Sequence, residues 1–497
     1  LINMPKNIEV KFEDYFNLPN PGLKSYFDIV RNGQPDVIRA PFAGRDSSAQ
    51  DVLSAWEPTL KQLADRWPTL LDFENDLRNK VGPMSVMKPL SERLTDIDSY
   101  YDSILLESKP LDQSAIAAVV GEFQAARGFI PNRQSVTIDT MKKSTNSGSP
   151  YFQKRSTVVD KTKFCNVLTD SDHYPYTIYG TQKLPRFQYP YNPVSTHWDH
   201  TGWEYAAVLG WRGQEGGPNA EDVKQRVVWM FPFAVNILEL QVYQPLISLC
   251  QTNDLVPAWV SMEAVDRRIT KMFDTKNSMD LVVCTDFSKF DQHFNVQCQQ
   301  AAKKILQALL SPTEFSKYWL SEVFPIKYQI PLAYDFGKIR FGLHGMASGS
   351  GGTNADETLV HRALQFEAAI RAKSRLNLNS QCLGDDGILT YPGITVEDVV
   401  SAYSSHGLEM NPDKQYASKH DCVYLRRWHH TDYRVDGVCA GVYSTYRALG
   451  RLMYQERYYD PEVWGPKAVA LRQLSIIENV KYHPLRDQFA EFCMKRD

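Results

Sequence analysis

Cys382-Leu383-Gly384-Asp385-Asp386-Gly387-Ile388-Leu389 is a short apolar stretch broken by two adjacent carboxylates and then resumed. The pattern predicts a strand–turn–strand hairpin with both aspartates at its tip. Neighbouring like charges repel, and neither can be buried without a compensating cation. Paired divalent metals are one such compensation, and metals held by carboxylates are the equipment of phosphoryl transfer. The alternative is a type I′ turn with solvated aspartates. Gly-Asp-Asp is short enough to arise by chance in a long chain, so the rest of the sequence has to decide.

The chain has 497 residues, more than one ordinary core holds, and predicts about three domains or subdomains. Apolar residues make up 43% and aromatics 12%, ample for a globular enzyme. The formal charge of −3 provides no global field for a polyanion, so nucleic-acid binding would rest on local basic clusters. One such cluster is Lys142, Lys143, Lys154, Arg155, Lys161 and Lys163, opposed only by Asp160. The cysteines are scattered without a CxxC pair, which suits free, buried thiols in a reducing compartment. A zinc site from His420, Cys422, His429 or His430, and Cys439 matches no standard spacing. The N-terminus carries no signal-peptide pattern. The apolar run from Trp229 to Cys250 is interrupted by Pro232, Asn236, Glu239, Gln241, Gln244 and Pro245, and is expected to be a buried helix rather than a membrane span.

Residues 1–65 read as an N-terminal extension punctuated by Pro19, Pro21 and Pro41. Helical spacing of Leu90, Leu94, Ile97, Tyr101 and Leu105 predicts helix within 85–128, and 130–225 is aperiodic enough to be a binding scaffold. Regularity begins at Leu281-Val282-Val283-Cys284, a buried-strand run that ends in Asp286. Helices are expected at 295–310, 353–374 and 395–406, with a second hairpin near 416–439 and a helical remainder. This order predicts an α+β domain with helices on one face of an antiparallel sheet.

Asp286 at a strand's C-terminal edge is followed by Asp291 in Asp286-Phe287-Ser288-Lys289-Phe290-Asp291. Were the sheet to bring Asp286 beside Asp385 and Asp386, three carboxylates could hold two Mg²⁺ about 4 Å apart. Alone, Asp286 would be a helix cap or turn residue. The stretch Gly345-Met346-Ala347-Ser348-Gly349-Ser350-Gly351-Gly352-Thr353-Asn354 ends at a helix start, allowing close backbone approach to phosphate or sugar oxygens, or simply a flexible loop.

Taken in order, Asp286 and Asp291, then Ser348-Gly349 with Thr353, then Gly384-Asp385-Asp386 resemble motifs A, B and C of viral RNA-dependent RNA polymerases. Lys414 resembles the motif D lysine, and Val423-Tyr424-Leu425-Arg426-Arg427 the motif E hairpin. Lys224-Gln225-Arg226 is similar to basic motif F, with Arg212 as an earlier member. Thr145-Asn146-Ser147-Gly148-Ser149-Pro150 is similar to motif G. The wording around motifs A and B resembles picobirnavirus polymerases most closely.

The resemblance implies a right-hand polymerase, α+β, with fingers (66–265), an antiparallel-sheet palm with an inserted fingers segment (266–430) and a mainly helical thumb (431–497). It implies templated RNA synthesis from NTPs with Mg²⁺, or Mn²⁺ as a substitute. Asp286, Asp385 and Asp386 would hold the metals, and Lys414 would protonate pyrophosphate. Arg212, Lys224 and Arg226 would clamp the triphosphate, with Asp291, Ser348, Gly349, Thr353 and Asn354 around the nucleotide. Ser147, Gly148, Lys154, Arg155, Arg426 and Arg427 would contact RNA, and Tyr151, Phe152, Tyr189 and Tyr191 could stack on bases or serve as scaffold. It further implies a double-stranded RNA virus, replication within a capsid with capsid protein as partner, de novo initiation, a monomer, and location in the virion interior or host cytoplasm, away from membranes. One departure stands out. Motif B often has Asn four residues after its Thr, where this chain has Glu357. The partner of Asp291 is therefore open among Ser348, Thr353, Asn354 and Glu357.

Overall fold

The computed structural model describes residues 6–9, 22–44, 47–149, 151–170, 173–179, 206–459 and 463–496. Tyr189 and Tyr191 lie outside them, as does Pro150.

At the centre is a four-stranded antiparallel sheet ordered Tyr416–Ser418, Val282–Thr285, Asp386–Leu389, Gln381–Leu383. Its middle strands are buried, and Val282–Thr285 on both faces, which is why that segment reads as a continuous apolar run rather than an alternating one. Val283 and Leu389 point into the main core with the helices Val296–Leu309, Thr353–Arg371 and Val396–Ser404. Val282, Cys284 and Ile388 point the other way, into a core with Val265, Ile269 and Met272 of the helix Met262–Thr275 and with Cys422 and Tyr424. The expectation of helices on one face is thus corrected: both faces are covered.

A second, five-stranded sheet is ordered Lys6–Glu9, Lys338–Phe341, Leu332–Asp335, Ala207–Gln214, Lys224–Met230. Two of its strands come from the stretch between the motif A and motif B segments, so chain from the palm region completes the fingers sheet. Trp229 belongs to the strand Lys224–Met230, and the helix begins only at Phe233, after Pro232. That helix, Phe233–Thr252, is apolar and long enough to span a bilayer, yet most of it is buried in the protein core.

The helices Ala49–Leu60 and Pro68–Arg78 share a core with Trp428 and the helices Thr445–Met453, Pro466–Glu478 and Arg486–Met494. Trp56 Nε1 donates to Thr445 Oγ1 at 2.8 Å, and Trp428 Nε1 donates to Thr69 Oγ1 at 3.2 Å. The chain then runs from this layer to the fingers sheet, where Gln225 Nε2 donates to the Val86 carbonyl at 2.9 Å. Two ion pairs cross from the strand Ala207–Gln214 and its turn to the C-terminal helical layer: Arg212–Glu456 at 2.8 Å and Arg447–Glu215 at 3.1 Å. These contacts bridge the second sheet to the C-terminal helical layer.

All eight cysteines are buried and free. His429 Nδ1 lies 3.1 Å from the Cys439 carbonyl oxygen, and no His/Cys/Asp/Glu cluster among the described residues forms a ready metal cage.

Candidate active site

The antiparallel register pairs Gly387 with Thr285 and Ile388 with Cys284. Carried one residue further, it sets Asp286 against Asp386, each at the end of a central strand. The hairpin turn is Gly384-Asp385, since Asp386 pairs with Leu383. Gly384 has φ +58° while Asp385 is not in the left-handed region, the pattern of a II′ turn rather than I′. Glycine supplies that φ without steric cost.

The hairpin rests on one face of the helix Thr353–Arg371. Gly384 N–H donates to Thr358 Oγ1 at 2.9 Å, and His361 Nδ1 lies 2.8 Å from the Gly384 carbonyl. Gln365 Nε2 donates to the carbonyls of Gln381 and Ile388 at 2.9 and 3.2 Å. Thr358, His361 and Gln365 form a polar stripe on a largely buried helix, and that stripe was the signal available in the sequence for them. Burial holds the His361 imidazole at about 4, so it is neutral at physiological pH.

Asp286 and Asp385 are exposed to the cleft, and Asp386 is half-buried. Asp286 is fixed through its backbone: its N–H donates to Gln415 Oε1 at 2.7 Å, and Gln415 Nε2 returns a bond to its carbonyl at 2.9 Å. Lys414, exposed, precedes Gln415 at the end of the 3-10 turn Pro412–Lys414. Asp386 Oδ2 accepts from the Leu425 N–H at 2.8 Å. Burial, assisted by the charge of Asp385, still pushes the Asp386 carboxyl up to about 7. Burial and the charge of Asp291 also raise Asp385. The raised Asp385 and Asp386 carboxyls mark a place where added positive charge is favoured. Asp286, Asp385 and Asp386 are hard oxygen donors, the type divalent metals take, although their side chains do not stand as a preformed cluster.

Cations face them from the fingers. The charge of Arg226 acts on both Asp291 and Asp385. Lys224 is lowered by burial and then by Arg226, while Asp286 and Asp385 pull it back up. Arg226 Nε donates to Gln214 Oε1 at 2.8 Å, leaving the rest of its fork available. Arg212 sits opposite Arg226 in register but is engaged with Glu456.

The glycine-rich loop lies on the strand Lys224–Met230. Ser348 Oγ donates to the Val227 carbonyl at 3.4 Å, and a Cβ on Gly349 would fall 1.6 Å from the Trp229 carbonyl oxygen. Thr353 Oγ1 closes the loop onto the carbonyls of Ala347 and Ser350, each at 3.2 Å. Buried Glu239 anchors it from below, bonded to Ser350 and accepting from Gly351 N–H at 3.0 Å. Asn354 accepts from Trp259 Nε1 at 2.7 Å at the cleft edge.

Ser147 and Gly148 dock at the end of the same strand: Phe233 N–H donates to the Ser147 carbonyl at 2.8 Å, and a Cβ on Gly148 would meet the Phe231 carbonyl at 2.7 Å. Lys154 is exposed, while Arg155 donates to Asn236 Oδ1 at 2.8 Å. Arg426 is exposed among Arg447, Arg451 and Arg226. Arg427 is committed to Asp266, at 2.9 and 3.1 Å.

Glu357 is buried, at 5% exposure, and the charge of Asp291 adds to burial in raising its carboxyl.

Aspartates at the ends of central strands and a glycine-rich loop against a basic strand mark a template-directed polymerase of the palm class. The sequence profile of the viral RNA-dependent RNA polymerase family matches residues 193–438, and the chain belongs to this family. It is 62% identical over 483 residues, 97% of its length and 86% of the relative's, to a "Potential RNA-dependent RNA polymerase" of Human picobirnavirus. Two crystal structures of the RNA-dependent RNA polymerase of a human picobirnavirus are similar at 61% identity. The form lacking its insertion loop gives a TM-score of 0.91, with 98% of this chain and 92% of that one covered. The other gives 0.90, with 97% and 88% covered. The right-hand α+β fold and the RNA-directed RNA polymerase activity, acting on RNA and NTPs, follow.

Proposed function

We propose that this cleft performs templated nucleotidyl transfer by a two-metal mechanism, replicating and transcribing a double-stranded RNA genome. The register that carries Asp286 to Asp386, with Asp385 beside them, supports this reading most directly. Asp286, Asp385 and Asp386 would hold Mg²⁺, or Mn²⁺ as a substitute. When bound, the ions supply charge neutralisation and a more acidic 3′-hydroxyl.

The chain's own residues supply the rest. Lys224 and Arg226, with Arg212 further out, hold the triphosphate; the Arg226 fork suits phosphate oxygens. Ser348, Gly349, Thr353 and Asn354 line the nucleotide, and Asp291 reads its ribose. The 3′-hydroxyl gives its proton to water and its oxygen attacks the α-phosphorus, the bond to the bridging oxygen breaks, and pyrophosphate leaves with a proton from Lys414, which solvent restores. Lys154 and Arg426 meet RNA phosphates, with Ser147 and Gly148 at the template entrance and Arg155 and Arg427 bracing those contacts. We divide the chain into an extension (1–65), fingers (66–265), palm (266–430) and thumb (431–497). De novo initiation, a monomeric enzyme, a capsid-protein partner and a place in the virion interior or host cytoplasm complete the reading.

Purified protein incubated with an RNA template, NTPs and Mg²⁺ or Mn²⁺, beside an Asp386→Ala control, tests it. Metal-dependent, unprimed full-length product from the wild type alone is expected; product from the variant at the wild-type rate would overturn the metal assignment.

A further inference from the structure

Asn236 and Glu239 stand three residues apart on the helix Phe233–Thr252, both buried and on one side of it. Asn236 Oδ1 accepts from Arg155 Nη2 at 2.8 Å. Its Nδ2 donates to Glu239 Oε1 at 3.1 Å and to the Gly349 carbonyl at 3.2 Å. The partners fix this orientation of the amide, since a guanidinium only donates, while a carboxylate and a carbonyl only accept. Glu239 in turn accepts the Gly351 N–H at 3.0 Å and the Ser350 hydroxyl. A continuous hydrogen-bonded chain thus runs from Arg155 through Asn236 and Glu239 into the glycine-rich loop.

Both ends of this chain are firmly set. The Arg155 N–H donates to the Thr145 carbonyl at 3.0 Å and its Nη1 to the Lys142 carbonyl at 3.2 Å, so Arg155 clasps the turn that carries Ser147 and Gly148. The loop is pressed against the helix, where a Cβ on Gly351 would fall 3.0 Å from Leu240 Cδ2. A buried carboxylate has to keep its donors. Any shift of the loop that drew Ser350 and Gly351 away would strip Glu239 of two of its three.

We infer that Asn236 and Glu239 are positioning residues that tie the glycine-rich loop to the template-entry segment, so that the loop's fit to the incoming nucleotide is set from the template side. Neither touches substrate; both act through the loop. The inference rests on the reading of 147–155 as template entrance and of Ser348 and Gly349 as nucleotide contacts, and deepens it.

The test is a double-mutant cycle on KM for NTP at saturating RNA template, with Arg155→Ala and Ser350→Ala, two residues that do not bond to each other. Arg155→Ala should raise that KM about tenfold although it lies on the template side, and Ser350→Ala should do the same. Together they should stay well short of about a hundredfold, because both break one chain. In an Asn236→Ala background, Arg155→Ala should add nothing further to KM. A residue that only supports the fold would lower Tm and leave KM alone. An unchanged KM in Arg155→Ala, or full multiplication of the two effects, would overturn the inference, and the Arg155 and Ser350 pair decides this even where Asn236→Ala does not fold. An unchanged KM for NTP in Ser348→Ala would instead overturn the reading of the loop as a nucleotide contact.

Discussion

Asp386 accepts its 2.8 Å hydrogen bond from Leu425, a residue whose backbone is left-handed at φ +52°. Arg426, next to it, is also left-handed at φ +63°, so a I′ turn is built here without glycine. Such conformations cost about 1–3 kcal/mol each and persist only where surrounding structure imposes them. The turn joins Asp421–Tyr424 to Arg427–His430, and Tyr424 is packed into the core beneath the palm sheet. Motif E is thus joined to motif C by the carboxylate that would hold a metal.

Asp385→Asn should abolish nucleotide incorporation, by about a hundred- to a thousandfold or more, with the fold intact. Asp385 is exposed at the tip and its charge is disfavoured there, so the neutral isostere removes repulsion rather than support. Thermal unfolding should show no loss of Tm, and single-nucleotide extension no product; retained extension would remove Asp385 from the metal set.

Gly387→Ala should disturb the catalytic hairpin. The added Cβ would lie 2.6 Å from His361 Cε1 and 2.8 Å from Nε2. Overpacking of this kind costs about 1–3 kcal/mol. Combining it with His361→Ala should cost less than the sum of the two, because the clash is gone. Additive unfolding free energies would show that the two residues do not communicate.

Arg226→Lys should raise KM for NTPs about tenfold, since an ammonium replaces the guanidinium fork. Lys224→Ala should act in the same direction. Steady-state kinetics on a fixed template separate this from a loss of kcat, and unchanged KM in both would move the triphosphate elsewhere.

Glu357→Gln should change how stability depends on pH. Burial, then the charge of Asp291, raises the Glu357 carboxyl well above its ordinary 4.5. The folded chain therefore keeps a proton that the unfolded chain gives up, and stability falls as pH rises above the ordinary value. Glutamine does not titrate. The Tm of Glu357→Gln relative to wild type, without metal, should rise as pH climbs above the ordinary carboxyl value of 4.5. A constant difference would mean that Glu357 is not protonated in the fold.

The sequence revealed the chemistry better than its supports. Asp286, Asp291, Ser348, Thr353 and the Asp385-Asp386 hairpin were legible because each lies at the end of an apolar run or glycine-rich loop. Gln415 and Glu239 were not, since their roles depend on strand register and helix packing that bring distant segments together, and Thr358 and His361 showed only as polar positions on an apolar helix. Position 357 showed only as a departure from expectation; the structure buries it within the field of Asp291. The double-sided burial of the central sheet was written in Leu281-Val282-Val283-Cys284, four apolar residues without alternation, but a continuous run does not say what covers each face. The fingers strands Leu332–Asp335 and Lys338–Phe341 were hidden by their place in the palm's stretch of chain.

Arg212–Glu456 and Arg447–Glu215 strap the strand Ala207–Gln214 and its turn to the C-terminal helical layer, on which the N-terminal helices also pack. A strap that stays closed during loading admits a polymer only by its end. The enzyme would then find its starting point by topology before it reads a single base. A covalently closed RNA circle should fail as template where the same molecule, cut once, succeeds.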